Sequence, residues 1–257
     1  MSVFRIFVLF TLSATSFAAY AQKFSYGVKA GVLGIYTNFP DQRDTLKSGV
    51  KLGFAVGGLI SFPMKRDCSF QVEGGFSQQG RSYKYGPSGD KWSGTYQFID
   101  LSMALRKNFK LKIMKNIATN WFVNAGPNIN YWIGGKGSLV PYIGITQHYS
   151  LAFDAPPGPE YTKIYMTNIN RWLYGINIGI GFSAVTLKNQ KIITELRMTW
   201  GQTYMGQKNS EYINGVNGIK DELSLKCNLK VLNLSVAYIF DRDIQKGRLG
   251  KSTKKVK

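Results

Sequence analysis

The chain has 257 residues, with 33 lysines and arginines against 14 acidic residues for a formal charge of +19, and it is rich in glycine (28), phenylalanine (16) and tyrosine (15). Two cysteines are too few for a disulfide-stapled scaffold, and the glycine and aromatic content points to sheet rather than to a helix bundle. The basic charge would suit nucleic acid, but the N-terminus excludes that partner.

Residues 1–21 read as a secretory signal, with Arg5, an apolar run from Ile6 and the small-x-small triplet Ala19-Tyr20-Ala21 ahead of Gln22. An exported chain rarely meets nucleic acid. The positive field is therefore expected to act on anionic headgroups, lipopolysaccharide and other envelope proteins. Three segments follow from this reading: signal 1–21, β-barrel domain 22–240 and a basic periplasmic tail 241–257.

Period-two alternation marks the elements in turn. A first strand over 24–36 places Tyr26, Val28, Ala30 and Val32 opposite Gly27, Lys29 and Gly31. A polar loop covers 38–48, a second strand 50–62, and a tight turn begins at Pro63. The third strand spans about 70–77, with Glu73 on its polar face, and 78–93 reads as a loop. A fourth strand over 94–106 sets Ile99, Leu101, Met103 and Leu105 against Asp100, Ser102 and Arg106; 107–116 reads as a basic turn or a short interfacial segment. The fifth covers 117–131, and 132–171 is the longest connection, left unassigned, with room for a short hairpin or strand extensions. The sixth runs from Trp172 with alternating Ile176, Ile178, Ile180 and Phe182. The seventh, 192–200, carries Glu195 and Arg197 inward, and 202–221 reads as a polar loop. The last stretch, 223–240, alternates in two opposite parities, which one β-bulge near Lys230 and Val231 would reconcile.

The expected fold is therefore all-β: an eight-stranded antiparallel transmembrane up-and-down barrel, apolar toward lipid and polar within, with both chain ends periplasmic and the long loops outside. A soluble barrel would point its apolar residues inward instead. The polar faces collect Lys29, Lys51, Lys226, Glu73, Asp100, Arg106, Glu195 and Arg197. Charges in so narrow a space must pair, so Glu73, Asp100, Arg106, Glu195 and Arg197 are expected to form an interior network rather than a catalytic group.

Two further sets stand out. Lys107, Lys110, Lys112 and Lys115 fall at the periplasmic rim, and Lys251, Lys254 and Lys255 in the tail, where they would touch headgroups or an envelope protein. Tyr83, Trp92, Tyr142, Tyr149 and Tyr161 fall in the outer loops, where aromatic rings suit a glycan or protein ligand. His148 is the sole histidine, and no nucleophile has a base at motif spacing. The Gly134–Gly137 stretch lacks phosphate-loop spacing, so no catalytic residue, metal or cofactor is expected. Cys68 and Cys227 are not expected to be bridged.

The runs GVKAGV at 27–32, VEGGFSQQG at 72–80, YQFIDLSMALR at 96–106 and LSVAYIF at 234–240 resemble the small PorT-like outer-membrane β-barrel proteins of the Bacteroidota. That resemblance implies a barrel without enzymatic activity, and for some members an association with secretion and gliding machinery. It offers no binding or catalytic residues to carry over. Two functional expectations stand: a non-enzymatic structural or accessory subunit of a cell-envelope assembly, linked to protein secretion, or a surface module that recognises glycan or protein through its long outer loops.

Overall fold

The structure is a computed structural model that describes residues 23–40, 46–85, 89–114, 117–141, 144–154, 162–166, 168–186, 190–200, 202–206, 211–214, 220–223 and 226–243. The signal segment, Tyr142, Tyr161, Lys115, Lys251, Lys254 and Lys255 lie outside the described residues, as does the side chain of Lys112. The strands are β1 (Lys23–Asn38), β2 (Leu46–Pro63), β3 (Cys68–Tyr85), β4 (Lys91–Met114), β5 (Ile117–Val140), β6 (Gln147–Phe153), β7 (Lys163–Met166), β8 (Trp172–Thr186), β9 (Gln190–Trp200), β10 (Glu211–Asn214), β11 (Lys220–Leu223) and β12 (Asn228–Asp243).

All twelve belong to one sheet. Strands β1 to β5 pair with their chain neighbours, β1 also pairs with β12, β12 with β9, and β9 with β8. Strand β5 branches. Its lower part, Thr119 to Tyr131, pairs with β8, which carries the pairing round in a circuit, while Lys136 to Leu139 pair with β6. From β6 the sheet continues through β7, β10 and β11, and the β6–β7 pair is parallel.

The expected eight-stranded antiparallel up-and-down barrel is thus corrected. Among the described residues the sheet has twelve strands, includes a parallel pair, and leaves the up-and-down order at β5. The additional strands are 147–153 and 163–166, within the connection 132–171 that left room for a short hairpin or strand extensions, and 211–214 and 220–223, at and just beyond the expected polar loop 202–221. Their backbone groups need partners, and the projecting edge of β5 supplies them.

Three predicted limits change, two of them, at 78–93 and at the upper end of β5, for one reason. The expected loop 78–93 is mostly β3 and β4, the expected turn 107–116 is the lower end of β4 as far as Met114, and β5 runs on to Val140. At the end of the circuit that carries the long connections, here the crown, hydrophobicity changes sides without any change of strand. Along β12 the odd residues face inward throughout, and the register against β1 and β9 is continuous from Val231 to Phe240. The bulge expected near Lys230 and Val231 is absent. Cys227, Leu229 and Val231 are buried in an apolar crown, whereas lower down Ser235 is buried and Leu232, Leu234 and Val236 face outward. In β4 the same change separates buried Trp92, Tyr96 and Phe98 from outward Ile99, Leu101 and Leu105.

The interior is therefore tiered. Leu33, Ile35, Trp92, Tyr96, Phe98, Trp132 and Leu229 fill the crown, together with Tyr149, Ile164 and Met166 from the added strands. Leu59, Phe122, Ile193, Ala237 and Ile239 fill the base, the end at which β1 begins and β12 ends. A polar belt lies between them.

Candidate functional site

The outer surface explains its own chemistry. Val28, Val32, Val56, Ile99, Leu101, Ile176, Ile178, Ile180, Leu234 and Val236 are exposed as an apolar band, far beyond the apolar patch a soluble protein leaves uncovered. Aromatic side chains edge it on both sides. Near the base Tyr26 stacks on Phe240 at 5.6 Å between ring centroids, and Phe109 on Trp121 at 4.3 Å. Toward the crown Tyr131 meets Trp172 at 4.6 Å, and Tyr36, Tyr174 and Trp200 are exposed nearby. From Tyr26 to Tyr36 is about 34 Å along the strand, or roughly 25 Å of height at a tilt near 40°, which matches the hydrocarbon band of an outer-membrane barrel.

The polar belt inside is built from four strands. Arg197 of β9 forms a fork onto Glu73 of β3, with Nη1 donating to Oε2 at 2.8 Å and Nη2 to Oε1 at 2.6 Å. Its Nε donates to Glu195 Oε1 at 2.7 Å. Lys29 of β1 closes the group, donating to Glu195 Oε2 at 2.7 Å and to Glu73 Oε2 at 3.1 Å. Two cations thus meet two carboxylates. Neutral amides complete the shell: Asn124 Nδ2 donates to Glu195 Oε1 at 2.8 Å, and Gln71 Nε2 to Glu73 Oε1 at 2.7 Å. Such a cluster holds only because each charge has several partners, since the desolvation cost of each ion is several kcal/mol. Gly179 makes room for it: a Cβ there would lie 2.5 Å from Asn124 Oδ1 and 2.8 Å from Glu195 Oε1.

The expected interior set divides. Glu73, Glu195 and Arg197 come together with Lys29. Asp100 stands apart, bonded to Ser77 and with Oδ1 unpaired, on the wall of an internal cavity of about 100 Å³ that Lys29, Glu73, Asn128, Asn177 and Arg197 also line. Arg106 is drawn to the base, where its guanidinium lies 3.5 Å from the Phe122 ring centroid and its Nε donates to Asn108 Oδ1 at 2.9 Å. Lys51 leaves the belt and donates to Ser93 Oγ at 2.6 Å; Lys226 lies ahead of β12 near the crown.

The aromatic set also changes place. Tyr83, Trp92 and Tyr149 are buried, each under 5% exposed, and stack in series at 6.2 and 5.8 Å. The expected display of these three rings to an outside ligand is corrected: they lie on the inward face, where ring-on-ring packing closes the crown. Fully buried Arg81, which alternation in 78–93 did not single out, lies 5.5 Å from the Tyr83 ring and 5.7 Å from that of Tyr96. At the base, Lys107 Nζ donates to the Arg66 carbonyl and Asn108 N to that of Asp67 at 2.9 Å, which ties β4 to the turn between β2 and β3; Lys110 is exposed. Cys68 and Cys227 are not joined by a disulfide. Among the described residues no group of three or more His, Cys, Asp or Glu gathers as a metal site would.

An apolar exterior between two aromatic girdles, around a paired polar interior, defines a protein of the outer membrane. The chain belongs to the outer membrane protein beta-barrel domain family, whose model matches residues 20–203, and it resides in the outer membrane among its lipids. Among solved structures it is similar to the outer membrane protein OprG from Pseudomonas aeruginosa (12% identity, TM-score 0.47, covering 85% of this chain and 95% of that one). It is also similar to Neisserial surface protein A (13%, 0.38, 84% and 96%) and to a major outer membrane protein from Thermus thermophilus (13%, 0.37, 85% and 99%). At these identities no residue-level correspondence follows. None of the curated proteins matches the sequence.

Proposed function

We propose that this protein is a non-enzymatic outer-membrane subunit of the PorT-like kind, an anchor that carries a rigid crown sheet for a cell-envelope assembly linked to protein secretion. The observation that carries the reading is the filled interior. Trp132, Tyr96 and Phe98 above the belt and Phe122 below it are at most 1% exposed, and the space between them is a cavity of about 100 Å³, room for a few waters rather than a solute path. A plugged circuit suits holding better than conducting. The crown is taken to face outward, because the start of β1, the end of β12 and the short turn between β2 and β3 share the opposite rim. Burial of Tyr83, Trp92 and Tyr149 takes away much of the aromatic surface on which a loop-borne glycan site would depend.

Reconstituted in planar bilayers, the protein is expected to carry no steady current, and gently solubilised membranes are expected to show it in a complex heavier than one mature chain. A stable single-channel conductance, or migration only at its own mass, overturns the reading.

A further inference from the structure

On the outer face of the crown, just above the apolar band, lies a groove that the belt and the anchor reading do not use. Its volume is about 530 Å³, and it is lined by Lys51, Lys136, His148, Ser93, Thr95, Ser138, Ser150 and Thr162 over a floor of Gly137 and Tyr149. No carboxylate is among these residues. Register builds the site: Ser93 pairs with Ser138 and Ser138 with His148, while Thr95 pairs with Lys136 and Lys136 with Ser150. Residues directly opposed across a ladder share one face, so two polar rows cross β4, β5 and β6 on the side away from buried Tyr149.

Lys51 reaches this surface from β2. Its register slips against β3 between Gly49 and Phe54, and its side chain passes Gly80, where an added Cβ would meet Lys51 Cγ at 3.3 Å. It ends at Ser93 Oγ, 2.6 Å away, which leaves two of its three ammonium donors for a ligand. Lys136 and His148 are exposed.

Height decides what such a groove meets. Ile99, exposed to lipid and paired with Tyr131 of the aromatic edge, lies four residues below Thr95 on the same face, about 10 Å of vertical distance at a typical tilt. Bilayer headgroups occupy roughly the first 5 to 8 Å beyond the hydrocarbon, and a lysine side chain spans the remainder. We propose that the groove binds the phosphate group of an anionic lipid headgroup in the leaflet beside the crown, with Lys51 and Lys136 as its ion-pairing donors and the surrounding hydroxyls and His148 as hydrogen-bonding partners. The placement rests on the apolar band and not on which side of the membrane the crown faces.

The test uses the full mature chain in zwitterionic detergent, with binding read by native mass spectrometry. The probes are dihexanoyl phosphatidic acid, dihexanoyl phosphatidylcholine and inorganic phosphate. The expected result is about tenfold tighter binding of phosphatidic acid than of phosphatidylcholine, the scale of a pair of charge-assisted contacts in a wet site. That preference should be lost in the Lys51→Ala/Lys136→Ala variant and kept in Lys51→Arg/Lys136→Arg and in Lys107→Ala/Lys110→Ala at the opposite rim, with unchanged gel mobility of the unboiled protein showing each variant to be folded. Equal binding of the two lipids, or a preference that survives the alanine pair, overturns the proposal. Inorganic phosphate bound as tightly as phosphatidic acid overturns the lipid source in favour of a soluble phosphate.

Discussion

The crown and the membrane band are built from the same strands and follow opposite rules. In the band, β12 turns Leu232, Leu234 and Val236 outward and Ser235 inward; in the crown it turns Cys227, Leu229 and Val231 inward and Lys230 outward. Along β12 nothing in the backbone marks the change, because its register passes through without a shift. The solvent on the outside decides. Against lipid an apolar side chain is content outside and the polar groups must satisfy one another within, whereas against water the ordinary hydrophobic effect draws apolar side chains in. A strand that crosses the interface therefore reads as two strands of opposite phase.

The most severe way to break this division is to unbalance the belt. Arg197→Ala leaves Glu73 and Glu195 buried with Lys29 as their remaining close cation, and is expected to cost about 3–5 kcal/mol in urea unfolding from lipid vesicles. Replacing the group together, as Lys29→Met, Glu73→Gln, Glu195→Gln and Arg197→Met, should cost much less, because no lone charge is left behind; an equal or larger loss would show that the charges themselves stabilise. In the crown Trp132→Ala removes the largest fully buried side chain and should cost a similar 3–5 kcal/mol, here through a cavity rather than a charge.

On the lipid face Leu234→Arg is expected to lose about 2–4 kcal/mol in the same assay, as for a cation near the bilayer midplane. The crown counterpart, Ser138→Arg, should change stability little, and comparing the two locates the water boundary directly. The smallest effect is expected for Lys191→Ala, which removes a half-exposed pair with Asp241 at 2.7 Å; such pairs contribute about 0–1 kcal/mol and fade with salt.

Much of this was open to reading in the chain. Alternation located the strands that cross the membrane, and the inward set in β1, β3 and β9 contained every charged member of the belt. Alternation said nothing about height, however. Asp100 and Arg106 share the polar face of β4 but sit at different levels, one on the cavity wall and one against Phe122, so a list of inward charges could not say which of them meet. The crown was harder to read. Between 78 and 93 the apolar residues are the inward ones, Tyr83 and Trp92, and a pattern judged by the membrane rule registers only as broken. The strands β6, β7, β10 and β11 are 4 to 7 residues long, too short for periodicity to separate from loop.

The sequence by itself determined that the chain is a sheet protein of the outer membrane, since two-residue alternation of oily and polar side chains over long strands has few other physical solutions. The tertiary structure alone decided that β5 would branch, that Tyr83, Trp92 and Tyr149 would stack inside rather than face a ligand, and that Lys51 and Lys136 would share one groove. Those outcomes depend on register and height between strands distant in the chain, and side-chain alternation along one strand carries neither.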